Sequence, residues 1–157
     1  MHFEFQPNEK VLNVSVIYRP QEGSFDVETP HRSLPSAFTS VQVNELQLQL
    51  DERGRVLYAD GYCPHFGWCE TQATPPTAHR AALFVKGVDF VAGVSVAIST
   101  SRWPVSVNRK MGWVCVGEQF PSASCNAVEF ATGSIAVVDG GSLKSIWLKP
   151  TALPLES

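Results

Sequence analysis

Tyr62-Cys63-Pro64-His65-Phe66-Gly67-Trp68-Cys69 packs two thiols, one imidazole and three aromatic rings into eight consecutive residues. A thiolate is a nucleophile or a soft metal ligand, and imidazole is a base or ligand near neutral pH. Three readings follow. Cys63 could attack an electrophile with His65 as base and Asp60 orienting the imidazole, because residues 63 and 65 of an extended chain face the same side. Alternatively, Cys63, His65 and Cys69 could bind zinc, with His79, Cys115 or Cys125 as fourth ligand. The third reading is packing, with Tyr62, Phe66 and Trp68 at the end of a strand and the cysteines as small buried hydrophobes. The spacing favours packing, since structural zinc sites use closely spaced C-x-x-C or H-x-x-x-H knuckles and none is present here.

Within that stretch, Cys63-Pro64-His65-Phe66-Gly67 resembles the first half of the Rieske iron–sulfur motif, C-x-H-x-G. The resemblance implies a two-iron cluster completed by a C-x-x-H pair. No such pair follows: Cys69 precedes Glu70-Thr71-Gln72, Cys115 precedes Val116-Gly117-Glu118, and Cys125 precedes Asn126-Ala127-Val128. No cofactor is expected, and zinc is the one metal the cysteines suggest.

Beyond this segment, Trp103-Pro104 follows Arg102, an aromatic and a cation that could clamp a flat ligand or a partner surface. Tyr62, His65, Trp68, Arg102 and Trp103 are therefore the expected ligand-binding residues. Arg109-Lys110 beside Trp113 could receive an anion, or could be a polar turn. His31 has no ligand partner at metal spacing. The P-loop, nucleophile-elbow, zincin and dinucleotide-binding signatures are absent from the chain.

The elements that must position these residues repeat with period two. Val14, Val16 and Tyr18 alternate within a strand expected over 11–19, and Leu46, Leu48 and Leu50 alternate with Gln47 and Gln49. Further strands are expected at 81–85, 94–98, 105–107, 113–117, 128–130, 135–138 and 143–148. Asp51-Glu52-Arg53-Gly54, Thr132-Gly133 and Asp139-Gly140-Gly141 read as hairpin turns, which imply antiparallel pairing. Parity slips between Val43 and Leu46, so a bulge or strand break is expected at Asn44-Glu45. The segments 20–40 and 70–79 read as long loops, of the kind that carry function or move. No twelve-residue window has helical spacing. The expectation is an all-β, antiparallel, single domain over 1–157, with 151–157 as a tail. A barrel-like form is preferred over a two-sheet sandwich, because Ala92, Gly93, Ala97, Ala131 and Ala136 could relieve crowding in a curved sheet.

The chain has 157 residues, 17% of them charged, and a formal net charge of -3, with no basic stripe for phosphates. Nucleic acid is therefore not an expected partner. No apolar run approaches a membrane span and no leader is evident, which points to a cytoplasmic protein with reduced cysteines. The leading expectation is a binding module for a small apolar or aromatic ligand or a protein partner. The second is a small enzyme (isomerase, cyclase or hydrolase) using Cys63, His65 and Asp60. The third is an assembly protein that self-associates through exposed apolar surface.

Overall fold

The period-two runs form sheets in the computed structural model, which describes residues 1–30 and 33–155; His31 lies outside the described residues. A two-stranded ribbon pairs β1 (His2–Gln6) with β9 (Ala82–Lys86). The six-stranded sheet is built from β2 (Ser15–Arg19), β3 (Ser24–Glu28), β4 (Thr39–Val43), β5 (Leu46–Leu50), β6 (Val56–Tyr62) and β10 (Val96–Ala97). Its order is β10-β4-β5-β6-β3-β2. The seven-stranded sheet contains β7 (Cys69–Glu70), β8 (His79–Arg80), β11 (Val105–Asn108), β12 (Trp113–Gly117), β13 (Asn126–Ala131), β14 (Ser134–Asp139) and β15 (Ser142–Leu148). Its order is β7-β11-β12-β15-β14-β13-β8. Among the described residues the one helical element is a 3-10 turn at His65–Gly67.

Alternation decides which side chains meet. Leu46, Leu48 and Leu50 are buried while Gln47 and Gln49 between them are half-exposed. They share a core with Val16, Tyr18, Phe25 and Val27 of their own sheet and with Val107, Val116, Phe130 and Ile146 of the other. Each fully buried large aliphatic side chain contributes roughly 1.5–3 kcal/mol. Trp147 obeys the same rule in reverse. It faces away from Ile146 and Leu148 into a second cluster with Ala73, Cys115, Ala127, Ile135 and Val137. Gln119 and Asn108 hold the 71–78 segment beside that cluster, through Thr71 Oγ1 (2.5 Å) and Ala73 O (2.9 Å).

The architecture is the two-sheet sandwich, which corrects the preference for a barrel. Closing a barrel requires continuous pairing around the ring, and β2, β10, β7 and β8 remain edges. Along one flank the ribbon stitches the two sheets together. Ala81 N donates to Glu129 O (3.4 Å), Phe84 bridges to Arg55, and Val85 N donates to Gly54 O (2.8 Å). Ala92, Gly93 and Ala97 do not line a curved sheet; all three are exposed, whereas Ala131 and Ala136 sit in the core.

Local expectations also change. The 20–40 segment is not all loop: β3 pairs with β2 across a turn in which Gly23 takes φ 63°. The parity slip is a strand break rather than a bulge. Val43 pairs with Leu46 across a two-residue tip where Asn44 adopts φ 54°. The 94–98 alternation yields only the two-residue β10, and Val94 is exposed. Regular pairing of the first long run begins at Ser15 rather than Val11. At the C-terminus, Thr151 N donates to Val16 O (2.9 Å), Leu153 packs on the core and Pro154 O accepts from Arg109 (2.7 Å). No helix of the described residues is long and apolar enough to cross a membrane.

Candidate functional site

β6 runs from one end of the sandwich to the other, and its two ends differ. At its C-terminal end the 62–69 segment turns over the core. Cys63 N donates to Gly23 O (2.7 Å), Tyr18 Oη donates to Cys63 O (2.7 Å), and Trp68 N closes the 3-10 turn on His65 O (3.1 Å). Tyr18 packs edge-on against Phe25, Trp68 and His65 at centroid distances of 4.9, 4.9 and 5.9 Å, and Phe25 stacks on Trp68 at 6.0 Å. Pairs of this kind add about 0.5–1.5 kcal/mol each beyond their buried area. The rings form a plug.

The plug determines the chemistry of its thiol. Burial pushes the Cys63 thiol up to about 11, opposed in part by the indole of Trp68. Trp68 Nε1 is buried near that sulfur but makes no hydrogen bond of good geometry. A thiol held neutral is a poor nucleophile. Asp60 does not reach the segment. It lies on the outer face of the six-stranded sheet, where Gln49 Nε2 donates to Oδ1 (2.8 Å), and burial, with Asp26 adding to it, raises its pKa. The Cys63–His65–Asp60 arrangement is therefore not assembled.

Zinc ligation fares similarly. Cys69 is exposed on β7, and His79 is on β8 at the opposite edge of the same sheet. Six inter-strand steps of about 4.8 Å separate those edges, roughly 29 Å along the sheet. Among the described residues no three His, Cys, Asp or Glu converge.

The remaining expected ligand residues stand at this same end. Arg102 is exposed and pairs with Glu45 through both carboxylate oxygens (2.8 and 3.2 Å). Trp103 is half-buried, and its backbone is clamped by Asn44: N–H to Oδ1 at 2.9 Å and Nδ2 to O at 3.0 Å. Gly117 makes room for that ring, since a Cβ there would lie 2.4 Å from Lys144 O and 2.9 Å from Trp103. The structure brings Tyr62, His65, Trp68, Arg102 and Trp103 to one end of the molecule, with Glu45 and Arg102 both close enough to bear on the Cys63 thiol. None of the five lines the cavity described next.

At the N-terminal end of β6 the sandwich is open. A cavity of about 650 Å³ lies where residues 10–13, Thr29, Pro30, Ser33 and Pro35 meet the start of β6. Its apolar lining includes Val11, Leu12, Pro35, Val56, Leu57 and Phe130. A bulge opposite Leu50, between Val56 and Tyr58, accommodates the extra residue Leu57 there. Thr132 N donates to Leu12 O (3.1 Å), which ties the crossing segment to the seven-stranded sheet. Among the described residues the cations at the lining are Lys10 and Arg55. Arg55 Nη1 pairs with Glu9 (3.1 Å) and Nη2 donates to the Lys10 carbonyl. Arg53 shares Glu9 (2.9 Å) and holds that carboxyl below its usual range.

Sequence reasoning marked 20–40 as a segment worth watching, and Thr29, Pro30, Ser33 and Pro35 of it line this cavity. It gave no functional role to 10–13 or 55–57, which carry no motif. No protein-family model matches the chain, and no curated protein matches it significantly. The molecule is a predominantly antiparallel β-sandwich, with parallel strand pairing where the short strands β7, β8 and β10 join the sheet edges, and it has one plugged end and one open end.

Proposed function

We propose that the protein is a non-catalytic binding module whose ligand is a small molecule with an apolar body, held in the open end of the sandwich. The observation that carries this reading is the 650 Å³ cavity floored by Leu12, Leu57 and Phe130. Small-molecule sites fall between about 300 and 1,000 Å³ and are lined mainly by apolar side chains with a few polar groups. The buried, neutral Cys63 and the distant Asp60 support a non-catalytic role over the enzyme reading. The short edges β7, β8 and β10, with Thr151 bonded along β2, weigh against assembly by strand pairing.

The test is a ligand-observed NMR screen of small apolar and aromatic compounds, with hits ranked by thermal shift. A ligand at one hundred times its Kd stabilises the fold by about 2.7 kcal/mol. Hits that perturb 11–13, 55–57 and 130 support the reading, and a screen with no hits removes it. One observation favours a second reading, a protein partner at the plugged end: Phe66 is 76% exposed on a turn pinned by the rings beneath it. A partner at that end would be lost in Phe66→Ser without loss of stability.

A further inference from the structure

We infer that the ligand of the open end carries an anionic head group, a monocarboxylate on an apolar tail being the class that fits; this rests on the cavity being the binding site. The chain as a whole has a formal net charge of -3. The cavity departs from that balance, because Lys10 and Arg55 line it and no carboxylate does among the described residues. The nearest acid in sequence, Glu9, is engaged by Arg53 and Arg55.

The donors at the mouth are not equivalent. Arg55 is committed to Glu9 and to the Lys10 carbonyl, so it braces the backbone of Lys10. The Lys10 ammonium has no hydrogen bond or ion pair among the described residues. Asn13 accepts from Thr132 Oγ1 through its Oδ1 (3.0 Å), which leaves its amide NH₂ pointing no bond at a described residue. Ammonium and amide NH₂ are donors only. An ionised carboxylate is an acceptor only and so matches both; the lining also holds the Thr29 and Ser33 hydroxyls, which can accept from a neutral head group, but an alcohol or amide leaves the Lys10 charge uncompensated. The apolar floor then takes the tail, with each buried methylene adding about 0.8 kcal/mol.

Isothermal titration of octanoate and octanol against the full chain separates the two levels of the argument. Octanoate is expected to bind up to about fivefold more tightly than octanol, the size of one partly exposed charge interaction. Lys10→Gln abolishes that difference and leaves octanol affinity unchanged. Val11→Trp, which fills the cavity, removes binding of both. Equal affinity for octanoate and octanol in the wild-type chain overturns the anionic head group and leaves the cavity reading standing. Binding of neither, or binding of both that survives Val11→Trp, overturns the cavity reading itself.

Discussion

The two ends of β6 carry opposite lessons. The plugged end holds the residues richest in chemistry, yet it uses its inner ones for packing: the Cys63 thiol is buried, Trp68 and Phe25 stack, and the Tyr18 hydroxyl binds the Cys63 carbonyl. The open end is built from Val11, Leu12, Asn13, Leu57 and Phe130, none reactive, and it encloses the cavity. Reactive side chains become a site only where the fold leaves room around them.

If that contrast is right, substitutions at the two ends should have separable effects. The largest is expected from Trp68→Ala. Removing a packed tryptophan from the plug should lower stability by about 3 kcal/mol in urea unfolding, while the cavity keeps its affinity for octanoate. Loss of octanoate binding in a folded Trp68→Ala chain would merge the two ends into one site.

Alkaline pH should loosen the plugged end comparably. Burial raises Cys63 from 9.0 to about 11 and Tyr18 from 10.0 to about 12, and on the far face of the other sheet raises Cys115 from 9.0 to about 12. Each is neutral when protonated and is held protonated by the fold. Its contribution is therefore complete below pH 9 and is lost as pH climbs through 11 to 12, roughly 3–4 kcal/mol for each buried thiol. Stability that stays flat from pH 9 to 12 would show that these groups are solvated. At pH 8 iodoacetamide should modify the exposed Cys69 and spare Cys63 and Cys115.

Tyr18→Phe is a finer cut at the plug. It keeps the ring contacts and leaves the Cys63 carbonyl without its donor, at about 1–2 kcal/mol. The smallest effect belongs to Asp60→Asn on the outer face. Because burial raises the Asp60 pKa, the charged form is the disfavoured one in the fold. The substitution should stabilise by about 0.5 kcal/mol at pH 7 and lose that advantage as pH falls below the ordinary aspartate range. A destabilised Asp60→Asn would mean that its ionised form is used.

The strands were legible in the sequence for a local reason. Period-two alternation is a property of neighbouring residues, so Leu46–Leu50, Trp113–Gly117 and Ser142–Leu148 could be read directly, as could the Asp51–Gly54 and Asp139–Gly141 turns. The strand Ser24–Glu28 shows the same alternation in Phe25 and Val27, but prolines on both sides masked it. The reverse error arose at 94–98, where an apolar alternation lies along an edge: Val96 and Ile98 reach the core, Val94 is exposed, and only two residues pair. Sandwich against barrel turned on pairings between distant strands, which no local pattern encodes. Packing was expected for the whole 62–69 segment and holds for Cys63 and Trp68, whereas Cys69 and Phe66 are exposed; the partners Tyr18 and Phe25 were not expected, because both arrive from a distant hairpin. The cavity was invisible for the same reason: Lys10, Pro35, Leu57 and Phe130 meet only in three dimensions.

The most direct test of this contrast is a titration of isotopically labelled protein with octanoate, followed by amide chemical shifts. The open-end account predicts saturable shifts at 10–13, 55–57 and 130, with 62–69 and 102–103 unmoved. Saturable shifts confined to 62–69 and 102–103 would contradict it and return the site to the plugged end.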